Sequence, residues 1–412
     1  MTSHCADGFR LLRAKWTVVA GRRGGTLIKG EMYDETGDGL YPGYSASGQD
    51  VWIEEAHYNE PGIVVSAVGA RCGKAFKADG KWTAIANTHV LLPRKNFDRD
   101  YLWWVFNDEA FWNKGGSAQP YVQFESSLDR EICVPKNIDH QQAIADYLDR
   151  ETAKIDGMIV AKERLLELLA EKRQALITHA VTRGLNPNAP LRDSGIPWLG
   201  KIPVHWVATR LKFIAEVRGG LTIGKNYGRS EVSEYFYLRV ANVQDGVLDL
   251  SDISTVYVPE SEAISCLLKY GDVLMNEGGD SDKLGRGCVW RDEISPCLHQ
   301  NHVFAVRPNN VRSEWLNAWT SSEVAKSYFE SRSKQSTNLA SISATNIKEL
   351  PVLLPSETEQ CSIVAFIERE TAKLDALKQV AERTISLLKE RRSAFIAAAV
   401  VGKIDIPLNT VL

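Results

Sequence analysis

The chain repeats one long segment of itself: residues 141–181 align without a gap with residues 360–400. The strongest match joins residues 150–156 to residues 369–375, and roughly 18 of the aligned positions are identical. The interval between the copies is far longer than the repeat of a solenoid protein. The repeated unit is therefore half of the molecule, a variable segment followed by one copy.

Each copy has the pattern of a long amphipathic helix. Apolar residues recur at the first and fourth positions of a seven-residue repeat, and the outward positions carry Glu, Lys, Arg and Gln. The predicted apolar seam contains Leu148, Ile155, Ile159, Leu166, Leu169 and Leu176 in the first copy and Ile367, Leu374, Ile385, Leu388 and Phe395 in the second. A helix of about 40 residues is about 60 Å long, and a narrow apolar stripe of that length needs a partner.

The most economical partner for each helix is the other copy. Because the intervening segment returns the chain, we predict an antiparallel coiled coil within one polypeptide. Two alternatives stay open: each helix packs only on its own domain, or it pairs with another chain. Polar seam residues repeat as well, Thr152 with Thr371 and Arg173 with Arg392. Such residues either fix the register of a coiled coil or extend out of its end into solvent.

Signals for the ends of both helices also occur twice. Asp139 and Ser356 each precede a Gln or Glu by three residues, which is the spacing of a capping box. Gly184 and Gly402 follow the last residues of the pattern, where a left-handed C-terminal residue is favoured.

Composition limits the class of protein. The 412 residues carry a net charge of −3, which gives no support for nucleic-acid binding, since most such proteins are basic. The seven cysteines stand singly. They predict a reducing cytoplasm, no disulfide framework and no zinc site. No apolar stretch suggests a signal peptide or a membrane span.

The two variable segments share a pattern of short strands separated by Gly and Asp turns. The predicted strands are residues 62–66 and 87–93 in the first segment and residues 236–243, 273–276 and 302–306 in the second. A Trp-containing helix is predicted in each, at 101–106 and 314–320. The two segments are therefore predicted to share one α+β fold with a mostly antiparallel sheet.

These patterns predict two similar globular α/β domains separated by two long helices, with pseudo-twofold organisation. The predicted parts are a first domain at 1–138, a helix at 139–184, a linker leading into the second domain at 185–203, a second domain at 204–357, a second helix at 358–402 and a tail at 403–412.

Several stretches resemble a known family, the specificity subunits of type I restriction-modification systems. They are the two long helices, residues 195–206 (GIPWLGKIPVHW), and the run from 271–275 (GDVLM) through 283–286 (KLGR) to 299–304 (HQNHVF). The resemblance implies a non-catalytic subunit with two target-recognition domains. Each would read one half of a split, asymmetric site in double-stranded DNA.

The resemblance also implies partners. In that family the helices dock two modification subunits, which bind S-adenosylmethionine and methylate adenine at N6, and endonuclease-translocase subunits join the assembly. It therefore implies no cofactor in this chain, a cytoplasmic location and no membrane partner. A rod about 60 Å long spans at most about 18 base pairs, which limits the separation of the half-sites.

Two segments approach a nucleotide-binding or methyltransferase motif, and both are incomplete. Residues 219–225 have the spacing of a phosphate-binding loop, but Asn226 stands where that motif has Ser or Thr. Residues 186–189 (NPNA) lack the second Pro and the aromatic residue of an amino-methyltransferase loop. His89 and His302 fall in predicted matching strands, where a structural role is favoured over that of a catalytic base.

Reading of DNA needs Arg, Lys, Asn or Gln at base edges and further basic groups on phosphates. The candidates are Arg71, Lys74, Lys77 and Gln119 in the first domain and Lys225, Arg229, Lys283, Arg286 and Lys334 in the second. For each one, a solvated surface charge is the alternative interpretation.

Two other classes of protein fit the same pattern. A stand-alone DNA-binding protein or a fused methyltransferase would act without partners, and the incomplete catalytic motifs weigh against the fused enzyme. A coiled-coil adaptor with two protein-binding heads and no DNA specificity of its own fits the repeat and the near-neutral charge.

Overall fold

The computed structural model describes residues 5–21, 32–228, 230–279, 284–335 and 340–406. The chain forms two compact units, one of residues 1–163 and 383–412 and one of residues 164–382. Each unit contains one globular head together with half of each long helix.

The first head consists of short strands and helices that follow one another in the chain. Its strands are β1 (Phe9–Arg13), β2 (Val18–Ala20), β3 (Tyr41–Ser45), β4 (Gly48–Ile53), β5 (Gly62–Ser66), β6 (Ala75–Ala78), β7 (Thr83–Ala84), β8 (Thr88–Pro93), β9 (Lys114–Gly115), β10 (Tyr121–Val122) and β11 (Glu131–Pro135). Its helices are α1 (Arg99–Phe106) and α2 (Phe124–Leu128), with 3₁₀ turns at Ala14–Trp16 and Glu109–Phe111. The long helix α3 (Ile138–Arg183) follows.

The second head has the same kinds of element. Its strands are β12 (Leu191–Asp193), β13 (Lys201–Pro203), β14 (Val207–Arg210), β15 (Ala215–Arg218), β16 (Ser233–Leu238), β17 (Ser254–Val258), β18 (Val273–Asn276), β19 (Gly278–Gly279), β20 (Gly287–Val289), β21 (Cys297–His299), β22 (Val303–Pro308), β23 (Lys334–Gln335), β24 (Ala340–Ser341) and β25 (Pro351–Leu354). Its helices are α4 (Glu260–Cys266), α5 (Ser313–Thr320), α6 (Glu323–Arg332) and α7 (Ala344–Lys348), with 3₁₀ turns at Leu211–Phe213 and Val240–Asn242. The long helix α8 (Glu357–Val400) follows.

The two heads share one topology. The order β2-β8-β5-β6 in the first head matches β15-β22-β18-β20 in the second, and β4-β3-β7 matches β17-β16-β21. The pairs β3–β7 and β16–β21 are both parallel, and β1–β11 corresponds to β14–β25. The prediction of one α+β fold built twice is confirmed.

Two details of the predicted strands were wrong. The strand predicted at residues 236–243 ends at Leu238, because the Asn242 side chain accepts a hydrogen bond from the Arg239 amide and closes a 3₁₀ turn. His302 precedes β22 and corresponds to Asn87 rather than to His89. The Ala67 amide donates to the Asn87 carbonyl, and the Glu277 amide donates in the same way to the His302 carbonyl.

The segment predicted as a linker, residues 185–203, is mostly exposed but packs on the core of the second unit through a few apolar side chains. It forms the hairpin β12–β13. Leu199 and Ile202 are buried with Ile177 and Val181 of α3 in one cluster. Most of its Pro, Gly and Asn residues lie in exposed turns around these few buried side chains.

The long helices pair in an antiparallel sense within each unit. In the first unit the Arg392 guanidinium donates to both carboxylate oxygens of Asp156, at 2.8 and 3.1 Å. In the second unit Arg173 Nε lies 3.6 Å from Asp375 Oδ1. Because Asp156 matches Asp375 and Arg173 matches Arg392 in the repeat, one ion pair is built twice. The seam arginines therefore mark the register of the helix pair.

The seam predicted from the sequence is covered along both helices. Leu148, Ile155, Ile159, Leu169, Ile367, Leu374 and Ile385 are buried, and Leu166, Leu176, Leu388 and Phe395 are half-buried. The hydroxyls of Thr152 and Thr371 donate to the carbonyls of Leu148 and Ile367 one turn earlier, so neither is left unsatisfied in the seam. Lys378, at a seam position, is exposed.

Both helices end as the sequence predicts. Gly184 and Gly402 have φ values of 76° and 77°, and a Cβ atom on them would meet the rings of Trp206 and Phe9, respectively. At the N-terminal ends the Ser356 hydroxyl accepts a hydrogen bond from the Glu359 amide, as predicted. At the start of α3 the capping side chain is that of Asn137, which accepts a hydrogen bond from the Asp139 amide, and not that of Asp139.

A disulfide joins Cys5 to Cys133, with their Cα atoms 5.8 Å apart. The prediction of seven single cysteines was therefore wrong. Cys133 lies on β11, whose antiparallel pairing with β1 brings the start of the chain beside it. Because the two cysteines are 128 residues apart, the local spacing of cysteines in the sequence could not predict this disulfide.

A buried glutamine ties each long helix to its head. Gln141 Oε1 accepts a hydrogen bond from the Asp98 amide at 2.8 Å, and its Nε2 donates to the Pro135 carbonyl. Its repeat partner, Gln360, makes the same two contacts, with the Arg312 amide and the Pro355 carbonyl. Each glutamine thus satisfies backbone groups from two elements at the junction of helix and head.

The variant Gln141→Leu leaves the Asp98 amide and the Pro135 carbonyl buried without those partners. We expect it to destabilise the first unit by about 2 kcal/mol, because each unsatisfied buried group carries its full desolvation cost. Thermal unfolding monitored by calorimetry measures the effect. The matched control is Gln142→Leu, since the neighbouring Gln142 is exposed. Equal unfolding temperatures for the two variants would contradict the assignment.

Candidate nucleic-acid interface

In the first head, a loop with two of the predicted basic residues lies at one end of the four-stranded sheet. Strand β5 ends at Ser66, whose amide donates to the Lys74 carbonyl, and the loop between them returns the chain to β6. Arg71 and Lys74 are exposed on this loop. The Arg71 guanidinium donates to the Ser47 carbonyl at 2.6 Å, which holds it against the turn between β3 and β4.

The hairpin that carries Gln119 lies beside this loop. Val68 forms an antiparallel bridge with Tyr121, and the Gly69 amide donates to the Pro120 carbonyl at 2.9 Å. Gln119 itself is exposed in the turn between β9 and β10. The structure therefore brings Arg71, Lys74 and Gln119 to one end of the head, which we call the loop end.

Lys77 is held elsewhere. Its ammonium lies 2.8 Å from an Asp100 oxygen, 3.3 Å from Asp149 and 4.7 Å from the centre of the Trp103 ring. It is also paired with Ile63, near the opposite end of β5 from Ser66. These contacts connect Lys77 to α1 and α3 within its own unit.

The second head repeats the arrangement. Strand β18 ends at Asn276, whose amide donates to the Arg286 carbonyl, and the Gly285 amide returns a bond to the Asn276 carbonyl. Ser66 and Lys74 are joined in the same way, with Gly73 in place of Gly285. Lys74 and Arg286 thus occupy equivalent positions. Arg286 Nη1 also donates to Gln244 Oε1 at 3.0 Å.

The other candidates in the second head are spread more widely. Lys334 lies on β23, in a small sheet in which β24 joins it to β19 directly after β18. Lys225 lines a separate cleft of about 550 Å³, and its ammonium donates to Glu262 at 2.9 and 3.1 Å. Arg229 and Lys283 lie outside the described residues.

The loop with phosphate-loop spacing has another structural reason for its glycines. A Cβ atom on Gly220 would lie 2.3 Å from the carbonyl oxygens of His299 and Gln300, so only glycine permits this backbone contact. Residues 222–228 form bends and turns rather than a helix. The segment therefore lacks the helix N-terminus on which a phosphate-binding loop depends.

Three histidines lie near the loop ends. His89 is buried and stacks on the Phe124 ring, with centroids 4.0 Å apart. His302 is exposed, and its Nδ1 lies 2.6 Å from Glu277 Oε2. Sequence reasoning missed His299, which is 1% exposed and whose carbonyl accepts a hydrogen bond from the Leu221 amide. No periodic signal distinguishes it, since every residue of β21 is buried.

One residue of the run at 271–275, Asp272, forms a buried ion pair. Asp272 is fully buried and binds the Arg307 guanidinium through both oxygens, each at 2.7 Å. Asp272 raises the pKa of Arg307 through this contact. The pair links the start of β18 to the end of β22 and acts within the fold of the head.

Among residues 5–21, 32–228, 230–279, 284–335 and 340–406, no group of three His, Cys, Asp or Glu side chains is arranged to hold a metal ion. Over the same ranges, no helix combines the length and the apolar character needed to cross a membrane.

Comparison with known proteins finds similarity to one family. Residues 21–165 match the family model described as the type I restriction modification DNA specificity domain. The chain is 26% identical over 273 residues to the specificity subunit of the type I restriction enzyme EcoKI from Escherichia coli K12. This chain is similar to type I specificity subunits. The resemblance predicted from the sequence is confirmed.

The match covers 64% of this chain and 56% of the EcoKI subunit, so it spans little more than half of that relative's length. Solved structures extend the likeness in fold. One, from work on the assembly and conformational transition of the type I R-M system, superposes with a TM-score of 0.70, at 15% identity, over 98% of this chain and 100% of its own. The HsdS subunit from Thermoanaerobacter tengcongensis gives a TM-score of 0.53, at 15% identity, over 98% and 99%. The fold of specificity subunits thus accounts for both heads and both helices.

The second head of this specificity-subunit relative should be sensitive to acid through His299. Burial lowers the pKa of His299 to about 4 from an ordinary value of 6.5. The unfolded chain therefore binds a proton that the folded head excludes between pH 6.5 and 4. Stability falls as pH falls through that window, by at most about 3 kcal/mol.

The test compares unfolding temperatures at pH 7 and pH 4.5 for the natural chain and for His299→Asn. We expect the natural chain to lose more stability on acidification than the variant does. The same pH dependence in both proteins would show that other groups govern it.

Proposed function

We propose that this chain is the DNA-recognition subunit of a type I restriction-modification complex. Each head reads one half of a split site in double-stranded DNA, and the long helices set the spacing between the halves. The observation that supports this most directly is that one head fold is built twice, with different residues on the equivalent loops.

The equivalent loops give a physical basis for an asymmetric target. Lys74 and Arg286 sit at matching positions after the central strand, where each can reach a base edge or a phosphate. Arg carries a planar fork that binds guanine through two bonds, whereas Lys presents a single point charge. The same scaffold with different residues on its loops would therefore read two unlike half-sites.

The helices also present a repeated surface for partners. Met158 and its repeat match Leu377 are 45% and 55% exposed, and Leu168 and its match Leu387 are 46% and 53% exposed. The first unit carries Met158 and Leu387, and the second carries Leu168 and Leu377. Exposed apolar side chains at matched positions suit two copies of one partner. We assign them to two modification subunits, which would hold S-adenosylmethionine and through which restriction subunits would join.

In the direct test, the chain is combined with the modification subunit encoded by the neighbouring gene, and the mixture is used to methylate genomic DNA in vitro. Single-molecule sequencing then reports the positions of N6-methyladenine. We expect one split motif with two unlike halves and a fixed gap. Formation of a complex without sequence-confined methylation would refute DNA reading by this chain.

A head exchange gives a matched control for the same experiment. Replacing residues 1–135 by the equivalent domain of another specificity subunit should change one half of the motif and leave the other half and the gap unchanged. A changed gap or a changed second half would contradict the modular assignment.

Docking on the helices is tested by the pair Met158→Glu and Leu387→Glu in the first unit. We expect the number of bound modification subunits to fall from two to one, because charged groups in the apolar contact remain unpaired. Mass photometry counts the subunits. The matched control is Val160→Gln, since Val160 is 64% exposed but its repeat position already holds Gln379. Two bound subunits in the double variant would refute the docking surface.

One property favours a second candidate function, a coiled-coil adaptor with two protein-binding heads. The net charge of −3 is unusual for a protein that contacts many phosphates. Measuring DNA affinity against salt concentration separates the two. A DNA reader weakens steeply as salt rises, because phosphate contacts release counterions, and an adaptor shows no such slope.

A further inference from the structure

Each head carries an exposed aromatic residue inside a small charged cluster, and the two clusters are equivalent. We call them the root clusters: Arg13, Lys15, Trp16 and Asp129 in the first head, and Arg210, Lys212, Phe213 and Glu349 in the second. The aromatic residue ends a 3₁₀ turn in both, and the acidic residue is the C-cap of the short helix α2 or α7, where its backbone amide donates to helix carbonyls. The Ala14 amide donates to the Arg130 carbonyl and the Leu211 amide to the Leu350 carbonyl, which fixes the equivalence.

The internal contacts of the two clusters also match. Lys15 Nζ lies 2.6 Å from Asp129 and 5.7 Å from the centre of the Trp16 ring. In the second head, Lys212 Nζ lies 2.6 Å from Glu349 and 5.2 Å from the centre of the Phe213 ring. The carboxylate holds the cation, and the cation lies over the ring.

The rings do little for the folding of the heads. Trp16 is 59% exposed and Phe213 is 66% exposed, so most of each ring faces water. A large aromatic side chain at one exposed position needs no explanation, but the same exposed position filled in both heads indicates a contact that both heads make.

The root clusters lie away from the loops proposed to read DNA. Val18, just after the first cluster, pairs with Pro93 at the far end of β8 from Thr88, and Thr88 lies at the loop end. In the second head Ala215 pairs with Pro308, at the far end of β22 from Val303. Each strand has six residues, and five rises of about 3.3 Å separate its two ends by roughly 16 Å.

The chemistry of the clusters suits a protein surface better than DNA. Asp129 is about half exposed, and a carboxylate between the two cations would repel phosphate. Trp, Tyr and Arg are the residues most enriched at the energetic centres of protein interfaces, where charged groups form the surrounding rim. An exposed ring beside two cations that share one carboxylate has this composition.

The strand before each cluster starts against the end of a long helix. Phe9, at the start of β1, lies beside Gly402 after α8, and Trp206, just before β14, lies beside Gly184 after α3. A partner seated on the helices therefore reaches the root cluster by following one short strand.

We infer that the root clusters are a second docking site for the modification subunits, one copy on each head, with Trp16 or Phe213 as the anchor. This inference rests on the proposed function, since it uses the same two partner copies. It adds a contact on each head to the contact on the helices, so that the position of the partner is fixed relative to the reading loops.

The test measures the binding of purified modification subunit to the full chain by mass photometry over a range of concentrations. Trp16→Ser should weaken one of the two bound copies about 30-fold, as expected for loss of an interface anchor. Phe213→Ser should weaken the other copy, and the double variant should weaken both. The exchanges Trp16→Phe and Phe213→Trp keep an aromatic ring and should keep two bound copies.

Controls separate docking from folding and from DNA binding. Val19→Glu is the matched surface control, because Val19 is 44% exposed and Glu216 already occupies its position in the second head. The serine variants should unfold at the same temperature as the natural chain. Two tightly bound copies in the double serine variant would overturn the inference, as would unchanged partner binding with weaker, less salt-dependent DNA binding. If the natural chain binds no modification subunit, the proposed function fails and this inference fails with it.

Discussion

The antiparallel pairing of two copies of one helix is the interaction on which the rest of the structure depends. Asp156 and Arg392 form in the first unit the ion pair that Asp375 and Arg173 form in the second. Each pair joins the aspartate of one copy to the arginine of the other copy, so the two ion pairs are equivalent under the repeat. The buried glutamines and terminal glycines then attach a head at each junction in the same way. Each head is thus attached to the helices of its own unit through equivalent contacts.

Within each head, the sheet separates two surfaces with different requirements. At the loop end the residues differ between the heads, as Lys74 and Arg286 do, and loop lengths differ as well. At the root the residues agree in chemical type, and both glycine contacts and charged clusters recur. A surface that differs between two copies of a fold suits recognition of unlike targets, whereas a surface that agrees suits contact with like partners.

The sequence predicts the long elements better than the contacts between distant ones. The seam from Leu148 to Leu176, the left-handed Gly184 and Gly402 and the strand at 62–66 follow from periodicity and local backbone chemistry, which act over a few residues. The Cys5–Cys133 bridge, the Gln141 junction and buried His299 depend on which strands pair across the head, and nothing near those residues encodes that pairing. Of the candidate DNA residues, Arg71, Lys74 and Gln119 meet at one end because the β5–β6 loop lies beside a hairpin. Lys77 lies away from the loop end because its position on β6 places its ammonium beside Asp149.

The division of the chain into units has a consequence for biosynthesis. Residues 164–382 form one continuous stretch, so the second unit has all its parts once that stretch has left the ribosome. The first unit is discontinuous, and the helix segment that completes it is synthesised after the second unit. The first unit therefore remains incomplete while the second unit is synthesised. During that time the apolar face around Ile144 and Leu148 is only partly covered. A premature stop just after residue 382 would leave the second unit with all its residues and the first unit without the helix segment that shares a core with Ile144 and Leu148.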